Sequence, residues 1–256
     1  MKIISTLVAL SDKHYPYADT KLVKKALGFI ANTQPDYVVD LGDLFDNPTF
    51  SKFEQDPRTI YSFADTVEMV TDYLYELRDA APNAQIDVKW GNHDERLPKF
   101  SNRNAPELVK NNLIKTYTDL LPFKELNIGS RGYNEPFILP GDLKITHGTK
   151  VAPLAGYSAH GELRKSDNVA GLSGHTHRLG FVTHRGRTWL ECGHMCTNDT
   201  SKFLYLHDGF GDWQQGFAVG KLVEYYDKKT RHKKRQWILT PVQVIQGCFV
   251  IDGVVY

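Results

Sequence analysis

Seven residues with oxygen or imidazole side chains recur where apolar runs of this chain stop: Asp12, His14, Asp43, Asn92, His147, His175 and His177. No thiolate is among them. Carboxylate, amide and imidazole donors suit a hydrolytic site for Mn, Zn, Fe or Mg rather than a structural zinc. Seven donors exceed what one ion needs. With one carboxylate shared they divide into two sites, and two ions about 3.5–4 Å apart are the usual machinery of phosphoester hydrolysis. His93 follows Asn92 inside Gly91-Asn92-His93-Asp94, where the amide can offer an oxygen to a metal and the imidazole can carry a proton.

The elements that must present these residues read as alternating strands and helices. Residues 3–10 are β-branched and apolar, as in a strand buried on both faces. Asp12 and His14, two apart at an extended strand end, are expected to point the same way. Residues 20–31 carry Leu22, Val23, Ala26, Leu27 and Ile30 at helical spacing, and Pro35 stands just past their end. Tyr37-Val38-Val39 is a second short strand that runs into Asp43. Strand, helix, strand at this spacing is a right-handed unit with a parallel sheet, so both strand ends share an edge. Ligands of open α/β sheets bind beyond such ends.

A helix over residues 59–80, with Ile60, Phe63, Val67, Val70, Leu74 and Leu77, precedes a third strand at 86–90 that delivers the Gly91 motif. Residues 98–104 read as a loop with Arg96, Lys99 and Arg103 near the cleft, Lys99 and Arg103 as solvated loop charges with a phosphate clamp the alternative, and residues 106–121 read as a helix opened by Pro106. Residues 143–148 form a short strand ending in His147-Gly148. Beyond Arg178, strand-like stretches at 180–183, 188–192, 216–226, 236–245 and 248–251 alternate with turn residues. They imply antiparallel hairpins and a second sheet stacked on the first. Without linker or repeat, residues 1–256 read as one domain.

A formal net charge of +1 excludes a whole-molecule electrostatic trap for nucleic acid, so any such attraction has to come from a local patch. The densest run, residues 228–235, reads as a solvated hairpin turn between Tyr226 and Trp237, with a phosphate-backbone contact as the alternative. Cys192, Cys196 and Cys248 make no disulfide framework and fit a reducing compartment, the first two as small buried hydrophobes. The N-terminal run reads as a strand rather than a signal peptide, and no apolar stretch approaches bilayer length. A soluble cytoplasmic protein without a membrane partner is expected. His160, His184, His194 and His207 read as structural or surface histidines, and Trp213 as a packed strand start, with base stacking the alternative.

Taken in order, Asp12-Lys13-His14, Gly42-Asp43-Leu44-Phe45-Asp46, Gly91-Asn92-His93-Asp94, His147-Gly148 and Gly174-His175-Thr176-His177 resemble the signature of calcineurin-like metallophosphoesterases, in particular small bacterial and phage members. The resemblance implies a four-layer αββα sandwich, two mixed β-sheets flanked by helices. It implies that Asp12, His14 and His177 hold one divalent ion, that Asn92, His147 and His175 hold a second, and that Asp43 bridges them. Manganese is the first expectation for both ions, with Fe, Zn, Mg or Ni as alternatives. A hydroxide between the ions would attack phosphorus in line. His93 would protonate the leaving oxygen or steady the transition state, and Asp46, a helical turn past Asp43, would orient it and favour its protonated form. Arg96, three residues from His93, is the candidate substrate clamp.

Asn47 stands where the Ser/Thr protein phosphatases of that family carry Arg, which disfavours a phosphoprotein substrate. The expected function is hydrolysis of a phosphomonoester or phosphodiester, with a nucleotide or other small phosphoester as partner. A metal-dependent DNA or RNA nuclease, like the repair exonucleases of the family, is the alternative, with nucleic acid as partner. A non-catalytic protein-binding scaffold is disfavoured, because Asp12, Asp43, Asn92, His93 and His177 are all kept.

Overall fold

The N-terminal apolar run seeds the first sheet. The computed structural model describes residues 1–52, 61–135, 137–166, 169–199 and 212–256. β1 (Lys2–Leu10) pairs in parallel with β2 (Tyr37–Asp40), β2 with β3 (Gln85–Lys89), and β3 with β4 (Ile128–Arg131). Helix α1 (Thr20–Thr33) connects β1 to β2, and α2 (Phe63–Ala80) lies between β2 and β3. The Asp19 carboxylate accepts from the Leu22 amide at 3.1 Å and starts α1, whose stripe of Leu22, Val23, Ala26, Leu27, Phe29 and Ile30 is buried. Between β3 and β4 come α3 (Arg96–Asn104), α4 (Pro106–Lys110) and α5 (Tyr117–Leu120).

The second sheet contains β5 (Phe137–Leu139), β6 (Leu143–Ile145), β7 (Ala170–Ser173), β8 (Leu179–His184) and β9 (Arg187–Cys192), in the order β5-β6-β7-β9-β8. Helix α6 (Tyr157–Lys165) lies between β6 and β7, which are parallel. β10 (Gly216–Asp227) and β11 (His232–Gln243) return to the first sheet, whose order is β11-β10-β1-β2-β3-β4. β12 (Val250–Ile251) and β13 (Val254–Val255) form a small closing hairpin.

Alternation of side chains along the strands builds the layers. Leu7, Ala9, Val39, Leu41, Leu143, Ile145, Leu172 and Leu190 fill the space between the two sheets. Val8, Leu10, Val38, Ile86 and Val88 point the other way, onto Leu22, Ile30, Val70 and Leu77 of α1 and α2. Ala159 and Leu163 of α6 cover Trp189 on the outer face of the second sheet. The four-layer αββα arrangement follows. Among the described residues no helix is long and apolar enough to cross a membrane.

Three expectations are corrected. Residues 98–104 are not a loop but most of α3: Pro98 sits in the first turn, where its missing N–H costs nothing, and Leu97 and Ser101 are buried. The helix expected over 106–121 is two short pieces, separated near Asn112, which takes φ +54°. β10 and β11 widen the first sheet instead of building the second. β10 needs cover on both faces, since Phe217 enters the helix-side core while Ala218 and Leu222 enter the core between sheets.

Register also places the basic run. Glu224 of β10 pairs with Lys2 and Ala218 with Ala9, so the β10–β11 turn lies beyond the start of β1. At 3.2–3.4 Å per residue, that is more than about 30 Å from Asp12. Its cations meet carboxylates of the hairpin itself: Lys233 lies 3.1 Å and Arg235 3.4 Å from Glu224, and Lys234 pairs with Asp227.

Lys13 is fully buried, with its ammonium 2.5 Å from Asp40 Oδ2, and the Tyr73 hydroxyl donates to the same oxygen at 2.9 Å. The pair ties the exit of β1 to the end of β2 and to α2. Asp40→Ala strands a buried ammonium, and the urea-unfolding midpoint should fall by the equivalent of about 3–5 kcal/mol. A loss below about 1 kcal/mol, the range of exposed pairs, would show that the pair is solvated in solution.

Candidate active site

Each of the seven donors follows the carboxyl end of a strand that has a parallel neighbour: Asp12 and His14 after β1, Asp43 after β2, Asn92 after β3, His147 after β6, and His175 and His177 after β7. The two sheets thus deliver their donors to one edge. The exits are laced by main-chain bonds, Asp12 N to Gly42 O at 3.0 Å, His14 N to Asp43 O at 2.9 Å and Gly174 N to His147 O at 2.9 Å. Asp12 and His14 do not converge by strand alternation as expected. They lie past β1 in left-handed turns, both at φ +51°, and Asp43, His175 and His177 are left-handed too. Such residues each cost about 1–3 kcal/mol and persist only where the surroundings over-determine them.

Close approach explains two glycines. A Cβ on Gly91 would overlap the Asp43 carboxylate and amide, and one on Gly174 would overlap the Ser11 hydroxyl and the Asp12 carboxylate.

The donors fall into two groups. In one, His14 Nε2 lies 2.9 Å from His177 Nε2, and Asp12 Oδ1 lies 3.8 Å and 3.3 Å from those nitrogens. In the other, His147 Nε2 lies 3.0 Å from Asn92 Oδ1 and 3.3 Å from Asp43 Oδ2, with His175 in the same cluster. Asp43 Oδ2 is also 3.6 Å from His14 Nε2, so a single carboxylate oxygen faces both groups. His147 Nδ1 donates to the Leu41 carbonyl at 2.9 Å, which leaves Nε2 to point a lone pair at the cluster. Two imidazole nitrogens at 2.9 Å require a proton or a cation between them, and the donor set fits divalent ions.

Electrostatics agree with this need for positive charge. Burial alone would push His14 and His147 down. Instead Asp12, Asp46 and Asp43 lift His14 to about 10, and Asp43 and Asp12 lift His147 to about 9. Burial, reinforced by the His147 charge, pushes His175 down to about 4, and burial lowers His177 against the pull of Asp12. Burial works against ionised Asp12 and Asp43, yet their histidine neighbours hold both well below the usual carboxylate range.

His93 stands beside the groups. Its Nδ1 lies 2.9 Å from Asp46 Oδ1, and the same oxygen is 3.0 Å from His14 Nδ1. Asp46 therefore orients two imidazoles, of which only His93 was expected. It also reaches them from a non-helical stretch rather than from one helical turn past Asp43, its amide donating to Tyr15 O at 2.9 Å. Burial would raise Asp46, but hydrogen bonds from His14 and His93 bring it below the usual range. Arg96 donates to Asp46 O at 2.6 Å and to His93 Nε2 at 3.1 Å. A guanidinium cannot accept, so His93 carries its proton on Nδ1 in this arrangement.

Some contributors were not legible in the motifs. Asp94 accepts from Gly91 N at 2.7 Å and Phe45 N at 2.9 Å, clamping two motif loops together; burial and the Asp43 charge raise its carboxyl to about 7. Asn47 donates to His93 O at 3.0 Å and to the Tyr117 hydroxyl at 2.6 Å. His194 is fully buried, its ring 5.3 Å from that of His177, and Trp213 packs edge-on against His177 at 4.0 Å rather than starting a strand. His160 and His184 are exposed as expected, Cys192 and Cys196 are buried, and His207 lies outside the described residues.

A family model described as calcineurin-like phosphoesterase matches residues 5–229. The chain belongs to that family. It is accordingly a metal-dependent phosphoester hydrolase, and its His/Asp clusters are able to bind divalent ions. Two phage proteins are similar over almost their whole length: the gene 54 protein of Mycobacterium phage D29, 28% identical, and that of Mycobacterium phage L5, 27% identical, each alignment covering 98% of both chains. Similar solved structures include an archaeal phosphodiesterase (14% identity, TM-score 0.44, 91% of this chain and 99% of that one). Another is vacuolar protein sorting 29 from Cryptosporidium parvum (15%, 0.47, 93% and 99%).

The shifts of the phosphoesterase histidines set a pH profile for the ion-free protein. His14 and His147 bind protons more tightly folded than unfolded, so the stability they add is complete below 6.5 and is lost as pH rises through about 9 to 10. His175 does the reverse: its contribution is lost as pH falls from 6.5 through about 4. Thermal melts of chelator-treated protein should peak near pH 6.5 and decline on both sides. Manganese loading, which needs deprotonated imidazoles, should instead become more favourable as pH rises. A melting temperature that stays flat or rises on the alkaline side of the chelated protein would contradict the raised histidines.

Proposed function

We propose that this phosphoesterase hydrolyses phosphomonoester or phosphodiester bonds of nucleotides or other small phosphoesters at a centre of two divalent ions. The observation that carries the reading is the position of Asp43 Oδ2, 3.6 Å from His14 Nε2 and 3.3 Å from His147 Nε2, between the two donor groups. Asp12, His14 and His177 would hold one ion, Asn92, His147 and His175 the other, and Asp43 would be shared. Manganese suits these donors first, with Fe, Zn, Mg and Ni as alternatives. Bound there, the ions supply Lewis acidity toward phosphoryl oxygens and activate water for attack.

The chain itself handles the leaving group. Once Arg96 moves off Nε2, His93 takes a proton there from solvent and passes it to the leaving oxygen, while Nδ1 stays tied to Asp46. A leaving oxygen that reaches Nε2 displaces one arm of Arg96, which frees that arm for a phosphoryl oxygen while the other keeps its bond to Asp46 O. The His93 amide donates to Asp43 Oδ1 at 2.8 Å, so the acid and the shared carboxylate are held in register. The 228–231 turn lies at the opposite strand ends, and Glu224 and Asp227 already meet its neighbouring cations. That placement favours a small phosphoester over a polynucleotide bound along the hairpin.

His93→Ala should keep its metal content while kcat on an aryl phosphoester falls about 10²–10⁴-fold. Asp43→Ala should lose both metal and turnover, read by elemental analysis after dialysis. Full metal and full activity in Asp43→Ala would sink the shared-carboxylate assignment; near-normal kcat in His93→Ala would sink the acid.

A further inference from the structure

We propose that the cavity beside Asn92 is a second anion subsite, which takes a phosphate next to the one hydrolysed and makes a nucleotide with at least two phosphates the preferred substrate. The inference rests on the assignment of Asn92 and His93 to the hydrolytic centre.

The cavity has a volume of about 350 Å³, and Lys52, Arg96, Lys99, Arg103, Phe50 and Asn92 line it; among the described residues no acidic one does. That volume falls within the range of small-molecule sites, about 300–1,000 Å³. Asn92 also belongs to the donor group around His147, so the cavity opens onto the hydrolytic centre. Arg96, Lys99 and Arg103 fall at i, i+3 and i+7 of α3 and so share one helix face. They span about 10 Å of helix axis at 1.5 Å per residue.

Among the described residues, Lys99 and Arg103 are incompletely neutralised. Glu95 lies 4.0 Å from the Lys99 ammonium, whose side chain is 61% exposed, so the pair is solvated and weak. Among the described residues Arg103 has no ion-pair partner. Three cations of the hairpin, Lys233, Lys234 and Arg235, are by contrast met by Glu224 and Asp227. One scissile phosphate would be met by the ions and Arg96, so Lys99 and Arg103 exceed what it needs. Phe50 adds an apolar wall, edge-on to Phe63 at 5.1 Å and tilted on Phe100 at 5.4 Å, suited to a sugar or base. The second phosphate has two sources with one chemistry: the neighbouring phosphate of a short strand, or the distal phosphate of a nucleoside polyphosphate.

The test uses the full-length, manganese-loaded protein, the Lys99→Gln/Arg103→Gln double variant, and Lys233→Gln as a distant control. One arm compares thymidine dinucleotide with and without a 5′-phosphate; the other compares a nucleoside triphosphate with its monophosphate. The wild type should prefer the extra phosphate in one arm, which identifies the source. The double variant should lose about tenfold or more of that preference in kcat/KM, mainly through KM, with a shallower salt dependence. Lys233→Gln should keep the preference. No preference in either arm, or a preference that survives the double substitution, overturns the subsite, while turnover of the single-phosphate substrates leaves the hydrolytic reading standing. Absence of all turnover overturns the hydrolytic reading instead. Calorimetry with thymidine 3′,5′-bisphosphate against the 5′-monophosphate then reads the subsite alone: tighter bisphosphate binding lost in the double variant supports it, and equal affinities reject it.

Discussion

His14 meets three buried carboxylates, 3.8 Å from Asp12, 3.6 Å from Asp43 and 3.0 Å from Asp46, and the site is organised by that crowding. An uncompensated carboxylate inside a protein costs several kcal/mol, and three around one ring multiply that cost unless positive charge offsets it. In the ion-free chain, protons raised onto His14 and His147 meet the need. Divalent ions meet it better, because they also use the lone pairs that a proton can satisfy only one at a time. The affinity of this edge for metal is thus the other face of its electrostatic strain.

Bringing those charges together demands backbone that strands alone do not provide. Straight continuation of β1 and β2 does not by itself aim Asp12, His14 and Asp43 at a common point. The left-handed turns at these three residues and at His175 and His177 do so. Their cost is borne because the flanking segments are immobilised: Lys13 on Asp40 below, Asp94 across Gly91 and Phe45 above, and α1 and α2 packed behind. Gly91 and Gly174 supply the clearance where one exit loop touches another.

What could be read from the chain was what is local. The run of β1 and the stripe of α1 depend on residues within a few positions of each other, and both were found where they were expected. α3 was mistaken for a loop because it contains Pro98, is polar, and buries only Leu97 and Ser101. The sheet membership of β10 was invisible because its partner is β1, near the other terminus. The roles of Asp94 and Asn47 were hidden for the same reason. Their partners Phe45 and His93 lie 49 and 46 residues away, and an acid beside a catalytic histidine gives no sign of which amides it will meet.

Charge shows the difference between density and placement. The run at 228–235 is the most basic stretch of the chain, but strand register sends it to the far end of the sheet, and cross-strand pairing puts Glu224 and Asp227 against its cations. Arg96, Lys99 and Arg103 are sparser in sequence. Helical periodicity gathers them on one face of α3, and that helix begins three residues after His93, so the face is anchored to the Gly91–Asp94 motif. A substrate phosphate responds to the field where it binds, not to how closely lysines follow one another along the chain. The stretch of chain that holds His93 also leads into α3, so the imidazole tied to Asp46 and the cations of that helix are fixed relative to each other.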